Sequence, residues 1–359
     1  MRRRRLRGLA AVLLLLPGTA CESGTRETAT ETRPSGTAAP VGSPRPRASR
    51  ESIEYGPPDF FPNAVAFWDA SNGIVVGRMV RRPCGRSHTC RGSIRITKDG
   101  GETWTEQFRG GPEVRDVTIT GAGSAVATLG RTEFQSCLAN GLVHTVDGGG
   151  TWRRLSQAPV CDPSFDTPST GWALHEPTAR HTPRLAHTTD GGRSWTLEKN
   201  PCPRVVHVPV SLSFPSPRQG WLVCVGEPAT AMESKAVLQT TDDGSGWSVQ
   251  SAVVMGAPPH DVPEGGIPST GHPSGMFFRP SGRGWMWLGR APLLQSVDQG
   301  QNWTAESHVV SPDVDQIASL WFIDDSTGYA LRYRGRMELL MSVDGGVRWS
   351  KVKAWRSGG

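Results

Sequence analysis

The chain has 359 residues, with 39 lysines and arginines against 33 acids and a formal charge of +6. Five of the arginines lie before Cys21 with no acid beside them, so the remainder carries only about +1. A balance this close to neutral excludes whole-chain basicity as an argument for nucleic-acid binding, and no nucleic-acid partner is expected.

The N-terminus predicts export. Met1–Arg7 is basic, Leu9–Leu16 is an apolar run, and Pro17-Gly-Thr-Ala20 ends it with small residues before Cys21. As a helix the run spans about 12 Å against the ~30 Å hydrocarbon core of a bilayer, so residues 1–20 read as a signal peptide. A cysteine so placed resembles a bacterial lipobox, with Gly18 where such boxes usually carry Leu. That resemblance implies a lipidated Cys21 and a cell-membrane lipoprotein outside the cytoplasm; ordinary cleavage and secretion is the alternative. The arginine run also suits a twin-arginine export route. Residues 22–57 are rich in Thr, Pro, Gly, Ser and Ala and hold almost no large apolar side chains. Such a segment cannot bury enough surface to order itself, so 21–57 is expected to tether a domain at 58–359.

Within that domain two motifs alternate. The first is an apolar or aromatic residue, a short turn, then glycine and an apolar strand. It runs Phe67 to Gly73, Ile119 to Gly123, Phe165 to Gly171-Trp172, Phe214 to Gly220-Trp221, Phe278 to Gly284-Trp285 and Phe322 to Gly328-Tyr329. The second is Ser/Thr-x-Asp-x-Gly-x-x-Trp. It places Asp99 with Trp104, Asp147 with Trp152, Asp190 with Trp195, Asp242 with Trp247, Asp298 with Trp303 and Asp344 with Trp349. The aspartates are 48, 43, 52, 56 and 46 residues apart. Period-two runs such as Gly92-Ser-Ile-Arg-Ile96 and Trp104-Thr-Glu-Gln-Phe108 flank each turn, so each motif marks a β-hairpin. Two hairpins per period of about 50 residues make one four-stranded blade. The expectation is an all-β propeller of six blades, or seven if the segment Ile53–Phe61 and the C-terminus complete one more.

These motifs resemble the Asp-box (BNR-repeat) propellers, the photosystem II assembly-factor-like propellers in particular. Similar boxes occur in sialidases and sortilin-type receptors. The likeness covers roughly residues 58–355 and speaks to fold far more than to function.

After Cys21 six cysteines remain, an even number that favours disulfides in an exported chain. Neighbour pairing gives Cys84–Cys90, Cys137–Cys161 and Cys202–Cys224. No Cys-x-x-Cys or suitably spaced His pair supports zinc, and no metal or cofactor is expected.

If the two motifs turn the first strand into the second and the third into the fourth, both lie on one face of the disc. The variable loops then emerge on the other, where binding usually resides. Candidates on that loop face are Arg82 and His88 around the Cys84–Cys90 loop, His181 beside His175 and Glu176, and Tyr333 with Arg334. His260 joins them in the long connection Val253–Gly275, which also holds His272. The arginines suit an acidic or carboxylated ligand. The six aspartates are each expected to close their own hairpin, since copies spread around a rim cannot converge on one substrate. Trp172, Trp221, Trp285 and Tyr329 are expected to pack the repeat.

Two functional readings follow. One is a monomeric, non-enzymatic binding or assembly module, meeting the membrane through its lipid alone and recognising a protein or cell-envelope component. The other is a sialidase-like glycoside hydrolase, for which Tyr333 is the available nucleophile; the aromatic-Arg-Ile-Pro signature such enzymes carry is absent from residues 58–95.

Overall fold

A computed structural model describes residues 60–80, 90–133, 136–176, 182–228, 232–255, 266–289, 293–306 and 316–355. The chain divides into residues 1–51 and 52–359, and every described residue belongs to the second unit. The expected signal peptide, Cys21 and the expected tether thus lie outside the described residues.

The two hairpin motifs produce six four-stranded antiparallel sheets, each a meander in chain order. Blade 1 is β1 (Phe60–Phe67), β2 (Gly73–Met79), β3 (Gly92–Thr97) and β4 (Thr105–Gly110). Blade 2 is β5 (Val114–Gly121), β6 (Ser124–Glu133), β7 (Ser136–Thr145) and β8 (Arg153–Ser156). Blade 3 is β9 (Val160–Phe165), β10 (Gly171–His175), β11 (Arg184–Thr188) and β12 (Thr196–Leu197). Blade 4 is β13 (Val208–Ser213), β14 (Gly220–Val225), β15 (Lys235–Thr240) and β16 (Ser248–Val253). Blade 5 is β17 (Pro273–Phe278), β18 (Gly284–Leu288), β19 (Leu293–Ser296) and β20 (Thr304–Glu306). Blade 6 is β21 (Gln316–Phe322), β22 (Gly328–Tyr333), β23 (Met337–Ser342) and β24 (Ser350–Trp355). The architecture is a six-bladed propeller, and the seven-blade alternative falls away because each sheet completes itself from consecutive strands.

The first strands of the blades touch one another in a closed ring and line a central cavity of about 1390 Å³. Among the described residues no strand crosses from one end of the chain to seal the ring. Side chains close it instead: Val65 N donates to Ser319 Oγ at 3.2 Å, Trp321 Nε1 to Phe67 O at 2.8 Å and Lys353 Nζ to Glu102 O at 2.7 Å.

The repeat motif explains the joints between blades. In five blades the inner strand is followed or ended by a phenylalanine whose ring covers a glycine of the second strand. A Cβ added at Gly73, Gly171, Gly220, Gly284 or Gly328 would lie 2.2–2.7 Å from the ring of Phe67, Phe165, Phe214, Phe278 or Phe322. The Asp-box tryptophan of the same blade meets that ring edge-on, at 5.9–6.2 Å between centroids. The aromatic residue after the preceding blade's glycine stacks on it face-on. Trp172 lies on Phe214 at 4.9 Å, Trp221 on Phe278 at 4.2 Å, Trp285 on Phe322 at 3.7 Å and Tyr329 on Phe67 at 3.6 Å. Polar tips donate across all four joints: Trp221 Nε1 to Gln299 O, Trp285 Nε1 to Gly345 O and Tyr329 OH to Ala70 O, at 2.9, 3.2 and 2.9 Å, and Trp172 Nε1 to the Asp243 carboxylate at 3.4 Å. Such pairs add roughly 0.5–1.5 kcal/mol to the area that each ring buries.

Blade 2 departs from the motif. There Ala125, and not Gly123, pairs with the inner strand and with the box threonine as the other glycines do. Ile119 replaces the phenylalanine and Val126 the stacking indole, so no ring needs the space of an absent Cβ. The sequence alignment on Gly123 is corrected by two residues: Gly123 belongs to the tight turn before β6, with φ at +67°.

Candidate functional site

Each Asp-box carboxylate is consumed by its own turn. Asp147 Oδ1 accepts from Thr151 N at 2.9 Å and from the Thr145 hydroxyl at 2.7 Å, and Oδ2 accepts from Thr151 Oγ1 at 2.7 Å. The Thr145 hydroxyl oxygen in turn accepts from Gly149 N, and Trp152 Nε1 donates to Gly149 O. The backbone and hydroxyl of Thr151, then Thr145, hold the Asp147 carboxyl down at about 2. Asp99 and Asp190 also sit at about 2; slight burial opposes the shift, and bonds from Thr103 and Ser194 outweigh it. These turns lie beside the first-to-second-strand turns, with Gly191 N donating to Ser169 O and Gly345 N to Ser326 O, each at 2.7 Å. No box aspartate lines the cavity.

Of the loop-face candidates, Arg82, His88, His181 and His260 lie outside the described residues. Tyr333 is 39% exposed at the cavity rim, its ring 6.4 Å from Phe61. Arg334 is exposed beside it, while Arg332 and Arg336 converge on Glu338 at 2.7 and 3.1 Å. The positive charge of that strand pair is thus largely committed inside the protein. Cys202 and Cys224 form a disulfide with Cα atoms 5.8 Å apart. Cys90 and Cys161 are also disulfide-bonded, and Cys84 lies outside the described residues.

The convergent chemistry lies in the channel. Every inner strand carries a bulge in its first half, leaving one extra residue: Asn63, Arg115, Val210, Ser274 and Ala318 in β1, β5, β13, β17 and β21. In β9 the irregularity falls at Asp162–Pro163, with Asp162 at φ +50°. Bulges re-aim side chains, and here they gather charge where blades 1, 2 and 3 meet. Asn63 Nδ2 donates to Glu113 Oε1 at 2.7 Å, and Arg78 pairs with the same oxygen at 3.1 Å. Asp162 reaches into blade 4, accepting from Leu212 N at 2.9 Å and Ser211 Oγ at 2.8 Å. Arg115 feels four carboxylates: Asp116, Glu113, Asp162 and Glu176. Burial, then the neighbouring Asp162 charge, pushes the Asp116 carboxyl up to about 7. Asp162 is also raised by burial, but its two donors oppose the rise. Asp116 therefore holds its proton to near neutrality.

A second cluster stands at the loop-face mouth between blades 4 and 5. Glu233, 3% exposed, meets His272 Nδ1 at 3.1 Å and lies 3.9 Å from Lys235 Nζ. Lys235 is wholly buried; its ammonium donates to Ser269 O at 2.7 Å and Pro268 O at 3.1 Å, pinning that connection to the blade. Burial draws the Lys235 ammonium down to about 8, and Glu233 resists the fall. Among the described residues, five carboxylates (Asp116, Asp162, Glu176, Glu227, Glu233) and two guanidiniums (Arg115, Arg279) line the cavity. Among the described residues no group of three or more His, Cys, Asp or Glu side chains is arranged to hold a metal.

Sequence reasoning reached Tyr333 and His272 but missed Arg115, Asp116, Asp162 and Glu233. The one available signal was charge inside otherwise apolar inner strands, as in Val114-Arg-Asp-Val117 and Val160-Cys-Asp-Pro163.

Comparison with known proteins agrees on the fold. No family model and no curated protein sequence matches the chain. Among solved structures, a GH74 xyloglucanase from Xanthomonas campestris superposes with a TM-score of 0.51 at 13% identity, covering 81% of this chain and 47% of the enzyme. YCF48 bound to D1 peptide gives 0.47 at 17% identity, covering 84% of each chain. The Penicillium chrysogenum α-L-arabinanase complexed with arabinobiose gives 0.48 at 14% identity, over 83% of this chain and 95% of that one. At such identities the likeness concerns the fold alone.

Proposed function

We propose that this protein is a lipid-anchored, extracytoplasmic and non-enzymatic binding module that engages a protein or cell-envelope partner through the loop-face mouth of its channel. One observation carries the reading: charged and aromatic side chains from several blades converge at that mouth, whereas the box carboxylates on the opposite face are spent within their own turns. The Cys202–Cys224 disulfide supports an oxidising compartment. The test is site-specific photocrosslinking in the native envelope, with the probe at Tyr333 or Glu227 on the mouth, or at exposed Val146 or Val297 on the box face. A discrete adduct from the mouth positions alone is expected. Adducts from the box face alone would sink the reading.

A sialidase-like glycoside hydrolase is the second reading. It draws on Asp116 and Asp162, two carboxyls lining one cavity, since glycoside hydrolysis uses a pair of carboxyls. Sugar release from fluorogenic sialosides or other glycosides, abolished in both Tyr333→Phe and Asp116→Asn, would place this reading first.

A further inference from the structure

We infer that the channel captures an uncharged, extended polypeptide segment, whose main-chain N–H donates to the Asp116 carboxylate and whose apolar side chain lies against Phe277 and Trp321 across the ring. The inference deepens the binding reading above and rests on it.

The first observation is a gap in how the inner strands are fastened to one another. In β9, β13 and β21 the residue three places before the joint phenylalanine is Asp162, Ser211 or Ser319. Its side-chain oxygen accepts an N–H from the next blade's inner strand: Leu212 N at 2.9 Å, Met276 N at 3.1 Å and Val65 N at 3.2 Å. Each donor stands two places before its own phenylalanine, Phe214, Phe278 or Phe67. Asp116 holds the acceptor place in β5, three before Ile119, which replaces the phenylalanine in blade 2. The matching donor place in blade 3, two before Phe165, is Pro163, which has no N–H. Proline is tolerated there because that edge of β9 makes no ladder bond to β10.

Asp116 Oδ1 turns back to its own strand and accepts from Val117 N at 2.8 Å; among the described residues no donor reaches the second oxygen. The side chain is half-buried and lines the channel, so that oxygen is open to a ligand there. A shielded carboxylate oxygen without a donor is costly, and a donor arriving from the channel relieves the cost. Without one Asp116 takes up a proton instead, its carboxyl raised to about 7 by burial and the Asp162 charge. The donor that this place takes at three other joints is a peptide N–H.

The second observation is the opposite wall. In a closed ring of six blades, blades 5 and 6 stand across from blades 2 and 3. There Phe277 and Trp321 line the channel, half-buried and 5.2 Å apart between ring centroids. The extra residues of their strands' bulges, Ser274 and Ala318, are small and exposed and leave room beside the rings. A ligand spanning the channel thus meets an acceptor on one side and an apolar aromatic wall on the other. An extended polypeptide offers both, N–H groups along its edge and side chains from its faces. The cavity, at about 1390 Å³, is far larger than one side chain fills.

The experiment is calorimetric titration of the full-length protein at pH 8 with acetyl-Gly-Phe-Gly-Phe-Gly-amide, its fully N-methylated counterpart and the neutral sugar maltopentaose. The first peptide is expected to bind, and the methylated one to bind at least about tenfold more weakly. Asp116→Ala should weaken the first peptide about tenfold or more. Pro163→Ala supplies the missing N–H. It should raise the thermal midpoint, since a bond to a carboxylate outweighs the lost rigidity of proline, and weaken the peptide about tenfold by occupying Asp116. A merely structural role for Asp116 would not couple greater stability to weaker binding. No binding by wild type at millimolar peptide, or equal affinity in wild type, Asp116→Ala and Pro163→Ala, would overturn the inference. Binding of maltopentaose without the peptide would overturn the polypeptide. Mouth crosslinks unchanged in both variants would sink this inference and leave the binding reading standing; peptide binding that obeys both variants, with no mouth adduct in the envelope, would do the reverse.

Discussion

The joints leading out of blades 3, 4, 5 and 6 and the joints on either side of blade 2 solve the same problem with different chemistry. In the first group an indole or phenol lies flat on the next blade's phenylalanine, and in three of the four its polar tip donates to backbone across the gap. Around blade 2, Ile74 and Ile119 share one largely aliphatic cluster and Val126 and Phe165 another, while Trp68 donates across to Gly121 O at 3.2 Å and Asn63 Nδ2 to Val114 O at 2.9 Å. Of the channel's inner-strand carboxylates, Asp116 stands beside these less aromatic joints, whereas Asp162 bonds across the stacked joint into blade 4.

The sharpest way to break this contrast is to remove one ring from each region. Trp285→Ala deletes a wholly buried indole that stacks at 3.7 Å and bonds to Gly345. A loss of ~3–5 kcal/mol is expected in urea unfolding. Trp68→Ala removes a half-buried ring and should cost ~1–2 kcal/mol. Equal losses would mean that the joints do not differ in kind. Next in size is Gly284→Ala, whose new Cβ would lie 2.3 Å from the Phe278 ring. It should cost ~1–3 kcal/mol by overpacking. At the equivalent place blade 2 already carries Ala125, so Ala125→Gly should cost only about 0.5–1 kcal/mol, as lost strand propensity.

This contrast also explains what was legible in the sequence. Phe278, Gly284, Trp285 and the box ending in Trp303 recur at fixed offsets because one packing geometry is repeated, so the repeat announces the blade. Where blade 2 breaks the rule, alignment by eye chose Gly123 and missed Ala125. The channel cluster was not legible for a different reason. Asp116 and Asp162 are 46 positions apart in the chain, and each reads as an isolated charge in an apolar strand. Only the closing of the ring and the bulges in β5 and β9 bring them together, and bulges leave no residue signature here: the extra residue is Arg, Val, Ser, Ala or Asn from one blade to the next.

A smaller effect separates the two kinds of carboxylate by the sign of their pH dependence. The Asp116 carboxyl binds its proton more tightly folded, near 7, than unfolded, at about 3.9. Stability linked to it is therefore present at low pH and lost as pH rises from about 4 through about 7. Asp116→Asn should match wild type near pH 4 to 5 and exceed it in thermal midpoint at pH 8. A variant less stable than wild type at pH 8 would mean that Arg115 needs the charge more than burial penalises it.

The smallest effect belongs to the boxes and runs the other way. Asp147 is held at about 2 by the Thr151 backbone and hydroxyl and by Thr145, well below its unfolded value. A depressed carboxyl stabilises the fold above about pH 4 and loses that contribution as pH falls toward about 2. The bonds are exposed to solvent, so one box contributes little. Asp147→Asn should lower the midpoint slightly at pH 6 and show a shallower decline between pH 4 and pH 2 than wild type. An unchanged acid slope, with the midpoint at pH 6 also unchanged, would mean that the Thr145 hydroxyl and the Gly149 backbone hold the turn without the carboxylate, and the box would be a signature of the fold without being one of its supports.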